Sequence, residues 1–117
     1  MATEVAESYN LDEPLLSRKK EEFRKCLMES IEEVLSFSKV VLNFLELNTP
    51  FKCKEILECP EVFSSELRDL FGQSATGIEE LIIERFFIKI DKQYEKDRNK
   101  KFEDYIKEAL KGYTDYY

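Results

Sequence analysis

The segment LFGQSATGIEELIIERFF, residues 70–87, places two glycines five positions apart just before a long apolar run. Either this segment cradles a phosphate or it turns one helix into the next. A phosphate-binding P-loop requires a lysine and then a serine or threonine after its second glycine, because the lysine reaches the phosphates and the hydroxyl binds magnesium. Here Gly77 is followed by Ile78 and Glu79. A carboxylate at that position would repel the ligand, so we predict a turn.

The turn interpretation explains more of the residues. Gly72 can adopt the left-handed backbone that closes a helix. Ser74 can cap the next helix, or Thr76 and Glu79 can form a capping box, and either cap would start a helix here. The apolar arc of that helix is too wide for a surface helix, which predicts the central buried element of the fold. Its apolar residues are Ile78, Leu81, Ile82, Ile83, Phe86, Phe87, Ile90 and Tyr94.

Composition extends the helical prediction to the whole chain. The 117 residues suit one domain, and the apolar fraction of 43% is enough for a core. Only three glycines and three prolines are present, which leaves little turn chemistry for a sheet, whereas Glu, Lys, Leu and Ile favour helix. We therefore predict an all-α fold, a compact bundle of about five helices.

Two helices are predicted before the central turn region. The first starts at Pro14, and its apolar stripe is Phe23, Leu27, Ile31, Val34 and Leu35. The sequence Ser-Phe-Ser at 36–38 interrupts it. A second, shorter helix through 40–45 is apolar on most sides, so we expect it near the centre of the bundle, and Asn-Thr-Pro at 48–50 ends it.

The remaining elements follow from proline, glycine and the apolar spacing. Pro60 starts a third helix with Cys59 at its cap position. After the central helix, residues 89–101 are densely charged, and the helix either extends out of the core or breaks near Asn99. Gly112 can cap a last amphipathic helix at 100–112. The domain prediction is a flexible arm at 1–13, one helical domain at 14–113 and a tail at 114–117.

The words EEVL at 32–35, EILECPEVF at 55–63 and LRDLFGQSATGIEELII at 67–83 resemble the Nitrosopumilus output domain, a small archaeal family. The similarity spans residues 22–90 and rests on packing and turn residues. It implies a compact helical fold, an archaeal source and a role as a signalling output module, and it says little about activity. Cys59 and Ser74 depart from the family pattern, as does the stretch at 42–52.

Metal and catalytic sites have little support in the residues. The chain has no histidine, and its three cysteines lack the C-x-x-C spacing of a zinc site. Cys53 and Cys59 either pair in a disulfide or serve, like Cys26, as small half-buried apolar residues. Glu79, Glu80 and Glu84 form an acidic patch, for which a solvent-exposed charged face is the expected state. We expect a protein that is not an enzyme and that has no catalytic residue, cofactor or metal.

The last helix carries more aromatic surface than a chain of this size needs, and such side chains are favoured at interfaces. We therefore expect a cytoplasmic protein-interaction module that acts as an adaptor, regulatory or accessory subunit. Its partner would be a protein, either in a larger complex or a second copy, with no membrane or small-molecule substrate. Alternatively, this helix folds back to cover Phe86 and Phe87. The predicted contact residues are Phe102, Tyr105, Ile106 and Tyr113.

The alternative function is a nucleic-acid-associated accessory protein of a replication or transcription complex. Residues 89–101 have six positive and three negative side chains, and the segment 89–105 adds aromatic residues that stack on bases. The net charge of −7 argues against such binding. The candidate contacts are Lys92, Tyr94, Lys96, Arg98, Lys100 and Lys101.

Overall fold

The computed structural model describes the backbone of residues 12–115 and the side chains of residues 18–112. Within these ranges the chain is all-helical, which confirms the predicted fold class. Its elements are α1 (Asp12–Val34), α2 (Ser38–Asn48), a 3-10 turn (Cys53–Glu55), α3 (Pro60–Phe71), α4 (Ser74–Lys89) and α5 (Phe102–Asp115). Residues 1–11 of the predicted arm and 116–117 of the predicted tail lie outside the described part.

Helix α4 is the centre of the bundle, as its wide apolar arc predicted. It packs against α1, α3 and α5. Its Phe86 ring meets Phe23 of α1 edge-on, with ring centroids 4.7 Å apart. The side chains of Phe23, Ile82 and Phe86 are fully buried. At the end of the same interface, Lys89 Nζ lies 2.6 Å from Glu33 Oε2 of α1.

The turn between α3 and α4 has the predicted left-handed glycine, but it lacks both predicted caps. Gly72 has φ +61°, and its amide donates to the Arg68 carbonyl at 2.7 Å. Gln73 precedes the first residue of α4, and no side chain caps that end. The capping box does not form because Glu79 lies on the buried face of α4, where it bonds to α3.

The second helix corrects another prediction. We expected α2 near the centre, but it packs mainly against α1 at the edge of the bundle. Leu42 and Leu45 reach the core, and the opposite side of α2 is exposed. The physical reason is that α4 already fills the central position, so the apolar outer face of α2 has nothing to cover it among the described residues.

The ends of helices α4 and α5, on either side of the 90–101 connector and α5 itself, differ from the predicted ends. Helix α4 ends at Lys89, not near Asn99, because Asp91 adopts φ +55°. The Lys92 amide then donates to the Phe87 carbonyl at 2.8 Å, and the Asp91 amide to that of Ile88 at 3.2 Å. Together these bonds form the Schellman pattern of a helix end. Further on, α5 continues through Gly112 to Asp115, so Gly112 does not end it.

The cysteines are free thiols, so the Cys53–Cys59 disulfide does not form. Burial, with a contribution from neighbouring Glu46, raises the pKa of Cys53 to about 11. A thiol with that pKa is almost entirely protonated at neutral pH and is a poor nucleophile. Among residues 12–115 there is also no helix with the length and apolar character that crossing a bilayer requires.

Candidate interaction surface

The residues predicted to contact a partner on α5 lie in the core. Phe102, Tyr105 and Ile106 are exposed by only 5%, 8% and 0%. The Phe102 ring packs on Phe63 of α3, with centroids 5.7 Å apart, and the Tyr105 ring packs on Phe87 of α4 at 6.2 Å. These three side chains therefore cover the core of their own chain. The side chain of Tyr113 lies outside the described residues.

The predicted nucleic-acid residues divide into paired and unpaired groups. Lys96 Nζ lies 3.2 Å from Glu80 Oε1, and Lys100 Nζ lies 2.7 Å from Glu108 Oε2. Tyr94 is half-buried, and burial is the main cause that raises its pKa to about 12. Its ring packs on Phe87 and Tyr105, so it is not free to stack on a base. The exposed cations that remain are Lys92, Arg98 and Lys101.

A cleft of about 620 Å³ lies between α3, α4 and the connector. Five cationic side chains and five carboxylates line it, so its formal charge is balanced. The Tyr105 hydroxyl holds the connector at its edge, since it accepts from the Asp97 amide at 2.7 Å and donates to the Asp97 carbonyl at 3.1 Å. This arrangement gives neither an anion nor a cation an electrostatic reason to bind.

The floor of the cleft is a buried carboxylate. Glu79 is 6% exposed, its Oε2 accepts a hydrogen bond from the Ser64 hydroxyl, and its Oε1 lies 3.2 Å from Arg68 Nη2. Burial raises the pKa of Glu79, while Ser64 and Arg68 act in the opposite direction. The expectation that Glu79 is on a solvent-exposed face is therefore wrong. Its bonds to Ser64 and Arg68 join α4 to α3, which makes it a structural group.

Among the described side chains of residues 18–112, four of the seven exposed large apolar residues lie on α2 or directly before it. We define the α2 seam as Phe37, Val40, Phe44 and Leu47, whose exposed fractions are 74%, 68%, 48% and 84%. Phe37 is the residue before the helix and the other three lie on its outer face. The successive spacings of three, four and three residues place the four side chains in one row. The apolar pattern of α2 predicts that this face is buried, so the exposed seam could not be recognised from the sequence.

Contacts on the buried side of α2 and hydrogen bonds at its C-terminal end hold the seam in place. Leu42 and Leu45 bury the opposite side of α2 in the core. Beyond the helix, Glu46 Oε1 accepts from the Cys53 amide at 2.8 Å, and Lys52 Nζ donates to the Glu46 carbonyl at 2.6 Å. The Thr49 hydroxyl donates to the Leu45 carbonyl at 2.6 Å. These bonds tie the chain after α2 back onto the helix, so α2 presents the seam as a fixed surface.

The size of the seam is that of an interaction site. With about 150 to 200 Å² for each large apolar side chain, the four exposed fractions amount to roughly 400 to 550 Å². Single exposed apolar residues are normal on any protein, and Leu81 and Ile88 on α4 are examples. A contiguous patch of this size is within the range of the largest apolar patch on a typical monomer, and such a patch is often functional.

Comparisons with protein-family models, with curated proteins and with solved structures found no match. The resemblance of residues 22–90 to the Nitrosopumilus output domain therefore stays a prediction, and the geometry of the α2 seam is the main guide to function.

Proposed function

We propose that this protein is a non-catalytic protein-interaction module, an adaptor, regulatory or accessory subunit, and that it binds a different protein through the α2 seam. The observation that carries the proposal is the contiguous row of exposed apolar side chains on a helix whose other face is anchored in the core. None of the residues that the structure describes covers this row, and a second molecule that covers it would remove it from water.

The energetic support comes from the area of the seam. At about 25 cal/mol per Å², covering roughly 500 Å² of apolar surface gives on the order of 10 kcal/mol of gross hydrophobic stabilisation. The loss of translational and rotational freedom offsets about 4 to 15 kcal/mol of it. A partner of matching shape would therefore bind reversibly, as expected for an adaptor or a regulatory subunit.

The test compares charges placed on the seam with a charge placed elsewhere. The variants Phe44→Asp and Leu47→Asp add a carboxylate to the seam, and Leu81→Asp adds the same charge to a half-exposed apolar position on α4. Because all three positions are solvent-exposed, each variant is expected to keep the circular dichroism and thermal midpoint of the native protein. The fold thus remains constant while the seam changes.

The readout is site-specific crosslinking in a lysate of the source cells. A photo-crosslinking residue at position 47 is expected to capture a protein that the same residue at position 81 does not. Capture should fall at least tenfold when Phe44→Asp is added, and remain unchanged when Leu81→Asp is added. Equal capture from positions 47 and 81, or capture that ignores Phe44→Asp, would show that the seam is not the binding surface.

A further inference from the structure

We infer that the partner supplies an amphipathic α-helix with net positive charge, which lies along α2 and packs its own apolar row against the α2 seam. This inference rests on the proposed function, since it names the element that the seam binds. Three features support it: the spacing of the seam, the uncharged residues beside it and the net charge of the chain.

The spacing identifies the partner element as a helix. Separations of three, four and three residues are those of positions a and d over two heptads, where side chains interlock with those of a second helix. Residues 37–47 span about 15 Å along the helix axis, which is roughly three turns. An extended peptide that binds as an added strand would instead need the free edge of a sheet. The described residues contain no strand that could offer one.

The residues on the two sides of the seam indicate whether local ion pairs can select the partner. The exposed positions e and g beside the row are Ser36, Asn43 and Asn48, which are uncharged, and the exposed cation Lys39 lies one position further round the helix. The three uncharged residues offer no ion pairs at the positions that usually select a coiled-coil partner. Charge selection must then come from the field of the whole chain, whose net charge is −7. Such a field attracts a positively charged partner and speeds its association.

The same features argue against a second copy of the chain as the occupant. Two seams packed together would bury about 1,000 Å² in total, the same apolar area as one seam covered by a helix of another protein, so charge distinguishes the two occupants. Each copy also carries a net charge of −7, so the two would repel one another. A basic helix of another protein would bury the same apolar surface. Its positive charge would be attracted by the negative chain, whereas a second copy would be repelled.

The experiment uses three synthetic helical peptides of 18 residues and the full chain. The first has leucine at the a and d positions and lysine on its flanks, the second replaces every lysine by glutamate, and the third replaces every leucine by serine. Fluorescence anisotropy in 50 mM and 300 mM NaCl measures binding. We expect the leucine–lysine peptide to bind at least tenfold more tightly than either of the others, and its advantage over the glutamate peptide to shrink with salt.

The protein variants locate the binding. Leu47→Asp should weaken the leucine–lysine peptide at least tenfold, while Leu81→Asp, which adds the same negative charge, should not weaken it. Equal binding of the lysine and glutamate peptides would overturn the charge part of the inference. If no peptide binds although position 47 still crosslinks a protein, the helical partner is wrong and the proposed function stands. A homodimer in sedimentation velocity that Leu47→Asp dissociates would make a second copy the occupant.

Discussion

At the scale of single residues, Glu79 shows how one side chain can serve two patterns in a sequence. Three residues after Thr76, it has the spacing of a capping box. It also continues the buried face of α4 that runs through Ala75, Ile82 and Phe86. In the folded chain the buried face decides its position, because Ser64 and Arg68 of α3 satisfy the carboxylate there.

Burial of Glu79 makes a prediction about pH. Its pKa is raised in the folded protein, first by burial, so the folded state holds the proton more tightly than the unfolded state. The contribution of Glu79 to stability is therefore greatest below its ordinary pKa of 4.5 and declines as the pH rises through the higher folded pKa. In Glu79→Gln this decline is absent. The stability of the variant relative to the native protein should thus increase from pH 4.5 towards pH 8.

Urea unfolding followed by circular dichroism at several pH values measures this difference. The matched control is Glu84→Gln on the same helix, where the carboxylate is exposed. Its stability relative to the native protein should show much less change over the same range. A Glu79→Gln curve parallel to the native one would mean that the Glu79 carboxyl titrates alike in the folded and unfolded states.

The end of α4 illustrates why some residue-level features were out of reach from the sequence. A left-handed residue usually ends a helix, and glycine is the usual choice. Here Asp91 takes that role with φ +55°. Aspartate tolerates this conformation better than most residues, but it occurs far more often elsewhere. Asp91 therefore gave no signal that could compete with Asn99 and the dense charges around it.

At the scale of helices, the spacing of apolar residues predicts which face of a helix avoids water, but it does not predict which element covers that face. For α4 the wide apolar arc predicted central burial, and the contacts with α1, α3 and α5 confirm it. A similar arc on α2 gave the same prediction, which is wrong because Leu42 and Leu45 face the core while Val40, Phe44 and Leu47 are exposed. The α2 seam has the same composition as a buried surface. Only the arrangement of the other helices shows that it is exposed.

Helix α5 gives a testable prediction at this scale. Its apolar stripe was expected to contact a partner, but its side chains lie in the core of the chain. Ile106 is fully buried. Ile106→Ala should lower the free energy of unfolding by about 2 to 5 kcal/mol through lost burial and the cavity left behind. Ile106→Asp should unfold the chain, since it would bury a charge without a partner. Urea unfolding measures both effects.

The control on the same helix is Glu108→Ala, which removes the exposed ion pair with Lys100. Exposed pairs contribute at most about 1 kcal/mol, so this variant should stay close to the native stability. If Ile106→Asp folds with native stability and loses a protein partner, α5 contributes to an interface. It would then be an alternative to the α2 seam as the binding surface.

At the scale of the whole molecule, two of the five cations in the 90–101 connector are paired with carboxylates, and the net charge of the chain opposes the other three. Lys96 and Lys100 pair with Glu80 and Glu108, and the cleft beside them is lined equally by both signs. The chain as a whole carries −7. Nucleic-acid binding depends on cations that are free to neutralise phosphates, and here the field of the protein opposes the approach of a polyanion.

We therefore expect the full chain to show no measurable binding to a labelled 20-nucleotide single strand or to a duplex of the same length at 100 mM NaCl. Fluorescence anisotropy tests this directly, and lowering the salt to 50 mM favours any weak phosphate contacts. The decisive variant is Arg98→Ser with Lys101→Ser, which removes two exposed cations of the connector. Suppose that the native chain binds, that this variant binds more weakly, and that the logarithm of the affinity falls linearly with the logarithm of the salt concentration. The connector would then be the functional surface, and the accessory role in replication or transcription would be the better proposal. Absence of binding at both salt concentrations leaves the apolar seam as the better candidate surface, because covering an apolar row removes it from water and is favourable, whereas a charged connector gains nothing from being covered.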